Sequence, residues 1–350
     1  MRERAPHYDK WRQYSKRFRD TAVGRGHEAD YIDTCLSYAK GIILKGLPVI
    51  YDWNHFSRII GLRPQYLYRA CNFTGNHYRR FSILKASGGQ REICEPLPNL
   101  KLAQRWILDN ILDRIPISPA AKGFRRGLSI KDNARFHRNQ RVVVRIDVKD
   151  FFPTIPLSRV RQIFAECGYS RSVSELLARL CTLDNCLPQG SPSSPALSNL
   201  VCRRLDARLL GYCRKVGVRY TRYADDLTFS GSFERGKLIR AVYTILKECG
   251  FEPNLTKTNE MHRGKQQRVT GIVVNEYLHI PRTMRRELRQ VVYYIGKYGL
   301  DDHVRSIREE RRNYLQHIVG QLQFQSFIDQ TDAWAKASRE RLISSGDYER

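Results

Sequence analysis

The chain has 350 residues, 41% of them hydrophobic, enough for a folded globular protein and too long for one simple core. Lys and Arg number 61 against 35 Asp and Glu, a formal net charge of +26. That balance calls for a polyanionic partner, nucleic acid first, and no apolar run is long enough to span a bilayer.

Residues 1–45 are basic and aromatic, then weakly helical, and look like an extension ahead of the main fold. Their basic start lacks the apolar stretch of a secretory signal. The nine cysteines are scattered, with no CxxC, so they are expected to be reduced thiols in the core of a cytoplasmic protein. Residues 53–72 predict two short helices broken between Gly61 and Pro64. A hairpin is expected over 77–96 around Gly88-Gly89, and a helix over 100–115. RVVVRIDV, residues 141–148, reads as a β-branched strand. Helices are expected at 157–167, 172–182, 194–215 and 234–249, a second hairpin over 216–231, and a strand at 268–275. From Pro281 to about Ser344 the pattern is helical and dense in Arg and Tyr. Mixed helices and adjacent hairpins predict an α+β fold.

Two adjacent aspartates, Asp225 and Asp226, stand at the tip of the second hairpin. Taken alone, an Asp pair is usually a solvated turn. Carboxylates held close together repel unless a cation joins them, and two divalent metals are the usual solution in nucleotidyl transfer. Such a cluster asks for a third carboxylate on a neighbouring strand. Asp147, which ends an apolar strand, is the natural candidate, with Asp150 a second acid nearby.

YADD at Tyr223–Asp226, IDVKDFFP at Ile146–Pro153, LPQGSPSSP at 187–195 and PNLTKTN at 253–259 come in the order of the successive motifs of reverse transcriptases, which the chain resembles over roughly residues 50–345. The resemblance implies a right-hand polymerase fold: fingers over 49–145, an antiparallel palm with its helices over 146–275 (a fingers segment interleaved around 165–190), and a helical thumb over 276–350. Residues 1–48 would be the basic extension. It implies two Mg²⁺ ions on Asp147, Asp225 and Asp226, with the Val148 carbonyl as a further ligand. Phe152 would be the steric gate under the sugar. Gln189 and Gly190 would touch the incoming nucleotide, and Lys257, Lys85 and Arg91 would meet its phosphates.

NARFH at Asn133–His137 and RVTG at Arg268–Gly271 resemble two signatures of the retron branch. That likeness implies an enzyme that copies part of its own structured noncoding RNA, primed from a guanosine 2′-OH, into a branched RNA–DNA hybrid. Asn133, His137, Val269, Thr270 and Gly271 would then bind RNA, as would Arg285, Arg286 and Arg289 of the thumb. The implied partners are the cognate RNA and its cDNA, dNTPs, a host RNase H to trim the template, and an effector protein of a phage-defence system, with no membrane. A bacterial reverse transcriptase without branched priming and a silent RNA-binding scaffold are the competing readings.

Overall fold

The computed structural model describes residues 5–84 and 88–344. In chain order the helices are α1 (Ala5–Gly24), α2 (Ala29–Ile43), α3 (Trp53–Ile60), α4 (Pro64–Asn72), α5 (Pro98–Asn110), α6 (Ile130–Phe136), α7 (Leu157–Cys167), α8 (Arg171–Cys181), α9 (Ser194–Val201), α10 (Arg203–Lys215), α11 (Arg235–Glu248), α12 (Arg282–Tyr298), α13 (Leu300–Ile307), α14 (Tyr314–Ile328) and α15 (Ala333–Ser344). The strands are β1 (Tyr78–Leu84), β2 (Gln90–Pro96), β3 (Val142–Asp147), β4 (Arg219–Tyr223), β5 (Asp226–Gly231), β6 (Asn259–His262), β7 (Arg268–Val269) and β8 (Ile272–Val273). Every strand pairing among the described residues is antiparallel, as the α+β reading expects.

The chain forms two compact units. One holds the chain up to Phe124, Val148–Arg208 and Thr244–Glu252. Its N-terminal helices have clear local causes. Trp11, Tyr14 and Phe18 recur at helical spacing along α1 and pack on Ala22, Ile32 and Leu36, closing α1 against α2. The sequence reading saw the basic and aromatic content of this stretch but not its 20-residue helix. The Asp52 carboxylate caps α3 by accepting from His55 N, and Gly61 ends it in the left-handed region at φ 71°. Pro64 then opens α4, so the break stands where Gly61 and Pro64 placed it. β1 and β2 form the expected hairpin, pairing Tyr78 with Pro96 and Leu84 with Gln90. The helix expected over 194–215 is two, α9 and α10, parted at Cys202. No Gly or Pro marks that break, so a local reading runs through it.

The second unit holds Arg125–Asp147, Leu209–Tyr243 and the chain from Pro253 on. Its sheet runs β4-β5-β3-β6. β3 is central, and Val142, Val143, Val144 and Ile146 are all buried, which explains an apolar run without alternation. The C-terminal helices share a core: Leu288, Val292 and Ile295 of α12 are buried with Leu315, Ile318 and Leu322 of α14. Val291 of α12 and Leu300 of α13 pack against this core. The strand expected over 268–275 is instead a tight hairpin, β7 and β8, in which Val269 pairs with Ile272. Thr270 and Gly271 form its two-residue loop at φ 48° and 83°, the positive pair that such a turn requires. A threonine rarely adopts that conformation, so the β-branched run hid the turn.

All nine cysteines are free, and seven are buried. Among the described residues no helix is long and apolar enough to cross a membrane.

Candidate active site

Pairing in the four-stranded sheet decides where the carboxylates meet. Asp147, the last residue of β3, lies opposite Asp226, the first of β5. Tyr223 pairs with Asp226, so Ala224 and Asp225 alone make the loop between β4 and β5. Ala224 takes φ 57°, the sign that a two-residue hairpin wants at its first loop position. The three aspartates therefore gather at one end of the sheet. Burial pushes the Asp225 carboxyl above the usual aspartate range, and the charge of Asp147 adds to the rise, followed by that of Asp226. Burial also raises Asp226; Arg145 pulls it back and Asp147 pushes it up again.

Arg145 is the residue that sequence reasoning missed. Its Nε donates to both Asp226 oxygens, at 3.2 and 3.0 Å, and Nη2 donates to Oδ2 at 2.5 Å. This is the forked grip that a guanidinium makes on a carboxylate. A signal was present: Arg145 stands two residues before Asp147, on the same face of a strand. Lys257 ends a short helical turn, Leu255–Lys257, and places Nζ 3.4 Å from Asp147 Oδ1. Arg145, Asp147, Asp226 and Lys257 line a cavity of about 300 Å³ with Thr256, Thr258 and Asn259.

Among the described residues no set of three or more His, Cys, Asp or Glu side chains is arranged to hold one metal ion. Asp226 is gripped by Arg145 and Asp147 has only the longer 3.4 Å contact to Lys257, so Asp147 and Asp225 are the carboxylates a cation would meet. They suit a hard divalent ion, because both offer only oxygen. Mg²⁺ is commonly held by one or two carboxylates, with water and substrate phosphates filling the remaining positions.

The other expected nucleotide residues fall in the first unit. Val148 is buried. Phe151 is buried and Phe152 half-buried, its ring 6.3 Å from that of Phe124. β3 has already ended there, and a turn rather than a strand holds the two rings. Gly190 sits at φ 118°, and a Cβ there would meet the Cys94 carbonyl oxygen at 2.7 Å. Gln189 O accepts from Cys94 N at 2.7 Å. The close approach that this glycine permits is thus to the backbone of β2. Arg91 is exposed on β2, opposite Ile83, and Lys85 lies outside the described residues.

The expected RNA-binding residues divide. Asn133 and His137 are fully buried, as is Val269. None of the three is open to solvent in this fold, so none presents a surface to RNA. His137 bonds Thr221 and Ser230, each at 2.7 Å, and Thr221 donates to Asn133 Oδ1 at 2.6 Å. Thr270 donates to Ile130 O at 3.3 Å, and Gly271 is exposed. On α12, Arg286 and Arg289 are exposed and Arg285 half-buried, while the Arg289 guanidinium lies 5.3 Å from the centre of the Trp334 ring.

The family model for reverse transcriptase, an RNA-dependent DNA polymerase, matches residues 83–296. The chain is 36% identical over 269 residues to the retron Ec86 reverse transcriptase of Escherichia coli, covering 74% of this chain and 83% of that protein. This chain belongs to the retron reverse transcriptases. It is also 38% identical to the retron Mx65 enzyme of Myxococcus xanthus, covering 76% of this chain, and 36% identical to the retron Mx162 enzyme, covering 63%. This reverse transcriptase spans 64% of the Mx65 protein and 53% of the Mx162 protein. Among solved structures it is similar to a telomerase from Candida albicans bound to a fragment of telomeric RNA, with a TM-score of 0.43 and 10% identity over 76% of this chain and 63% of that one. The family stands on the sequence relatives alone.

Proposed function

We propose that this reverse transcriptase copies part of its cognate structured RNA into single-stranded DNA, primed from a guanosine 2′-OH, to give a branched RNA–DNA hybrid within a phage-defence system. The observation that carries the polymerase reading is the meeting of Asp147 and Asp226 across β3 and β5, with Asp225 in the adjoining loop. The similarity to retron reverse transcriptases supports the retron reading.

Bound Mg²⁺, two ions in this reading, supplies Lewis-acid activation of the 3′-hydroxyl and charge neutralisation on the leaving pyrophosphate. Asp147 and Asp225 hold it, with the Val148 carbonyl as a further oxygen. Arg145 keeps Asp226 charged and oriented beside them. Lys257, already on Asp147, donates to the phosphates as negative charge builds on them. Arg91, Gln189 and Gly190 contact the nucleotide, and the half-buried Phe152 rejects a 2′-OH. Arg285, Arg286 and Arg289 meet nucleic-acid phosphates, and RNA, cDNA, host RNase H and an effector are the partners.

Protein purified from cells carrying the native locus should bring down a short DNA that survives RNase and changes mobility after 2′–5′ debranching. Linear cDNA would keep the polymerase and remove branched priming. RNA with no DNA would remove the polymerase as well.

A further inference from the structure

The two signature motifs meet on one short helix. α6 carries Asn133 and leads into His137, and Ala134 on it is buried in one core with Val143, Val269 and Ile272. From the β7–β8 loop, Thr270 donates to Ile130 O at the start of α6. Beyond α6 the hydrogen bonds run to the hairpin that bears the aspartates. His137 bridges its two strands, reaching Thr221 on β4 and Ser230 on β5.

The hydroxyl of Thr221 fixes two of the hydrogen-bond directions. Thr221 has one hydroxyl proton and gives it to Asn133 Oδ1. Its oxygen must therefore accept from His137 Nε2–H. Nδ1 stands 2.7 Å from the Ser230 hydroxyl, which can either donate to it or accept from it. The chain Ser230, His137, Thr221, Asn133 is continuous, buried and consistent with one tautomer.

Sheet register shows what the chain acts on. Paired residues share a face, and alternate residues along a strand stay on it. Arg145 pairs with Thr228 and Asp147 with Asp226, while Thr221 pairs with Thr228 and Tyr223 with Asp226. Thr221 and Ser230 thus lie on the face that carries Asp147, Asp226 and Arg145. Asn133 Nδ2 is buried with no hydrogen-bond partner among the described residues, a penalty that an apolar residue filling the space would avoid.

We propose that Asn133, His137, Thr221 and Ser230, with the Thr270 loop behind them, form a brace that positions the Tyr223–Asp226 loop against Asp147. They are positioning residues, not RNA contacts. This rests on the polymerase reading above for its effect on rate, but not for its effect on the hairpin.

The test compares Thr221→Val, which keeps shape and removes the hydroxyl, with Thr221→Ser, which keeps the hydroxyl. His137→Gln is a second site. Each is measured for RNA affinity, dNTP KM, kcat and amide hydrogen exchange in β4 and β5. The valine variant should lose ~10- to 100-fold in kcat, the scale of a slight misplacement of reacting groups, with RNA affinity and KM within about twofold. Exchange in the hairpin should quicken while the other core helices hold their protection. Thr221→Ser should restore both. Lost RNA affinity with normal exchange would overturn the brace in favour of RNA binding, and unchanged kcat and exchange would overturn it outright. If the wild-type protein made no DNA, the polymerase reading would fall, and exchange alone would decide the brace.

Discussion

Asp225 and Asp226 are raised carboxyls, and burial is the first cause in each. The folded state therefore keeps protons that the unfolded chain releases at about pH 4. In metal-free protein both groups weaken the fold as pH climbs from about 4 through their raised folded values, and the loss is complete above those. Asp225→Asn removes a charge that its neighbours resist. In EDTA at pH 7 it should stabilise the protein by about 1–2 kcal/mol while abolishing DNA synthesis, a trade familiar at strained active sites. Urea denaturation at pH 7 and at pH 4 checks it, since the gain should shrink at the lower pH. A destabilised variant at pH 7 would mean that Asp225 has a favourable partner in the fold.

Gly190 ties two elements together. The loop before α9 lies on β2 through the bond from Cys94 N to Gln189 O, and the glycine has no room for a side chain there. Gly190→Ala would force a methyl against the Cys94 carbonyl at a left-handed φ. The expected loss is about 2–4 kcal/mol, from overpacking together with backbone strain. A lowered denaturation midpoint would show it, and an unchanged one would mean that the loop moves away without penalty. The β7–β8 hairpin makes a related point about elements. Its turn was legible only in Gly271, because Thr270 reads as a strand residue wherever local preference decides.

Over the whole molecule the charge of +26 has to be met by something. α12 offers Arg285, Arg286 and Arg289 at helical spacing, with Tyr293, Tyr294 and Tyr298 exposed further along. Such a surface can hold phosphates and stack on sugars or bases. Neutralising the three arginines should reduce the slope of log affinity for RNA against log salt by about 2–3, near 0.7–0.9 for each phosphate left without its cation. Filter binding between 50 and 300 mM salt, taken as roughly the useful range, would show it. An unchanged slope would turn this side of α12 away from RNA. The Arg289 stack on Trp334 makes that residue the one of the three whose loss should also loosen α12 from α15.

Much of this was legible in the sequence by itself. Gly61 and Pro64 set a helix break, Gly88 and Gly89 a hairpin, and the run from Val142 to Ile146 a buried strand, because turn chemistry and apolar pattern act over a few residues. The order of Asp147, Asp225 and Asp226 was enough to expect them on neighbouring strands. The tertiary structure alone decided which side chains those residues meet. Arg145 takes Asp226 across 81 residues of chain, and His137 takes Thr221 and Ser230 across 84 and 93. A polar side chain buried by a distant strand leaves no periodic trace of its own, so nothing near Asn133 and His137 in the sequence marked them as buried.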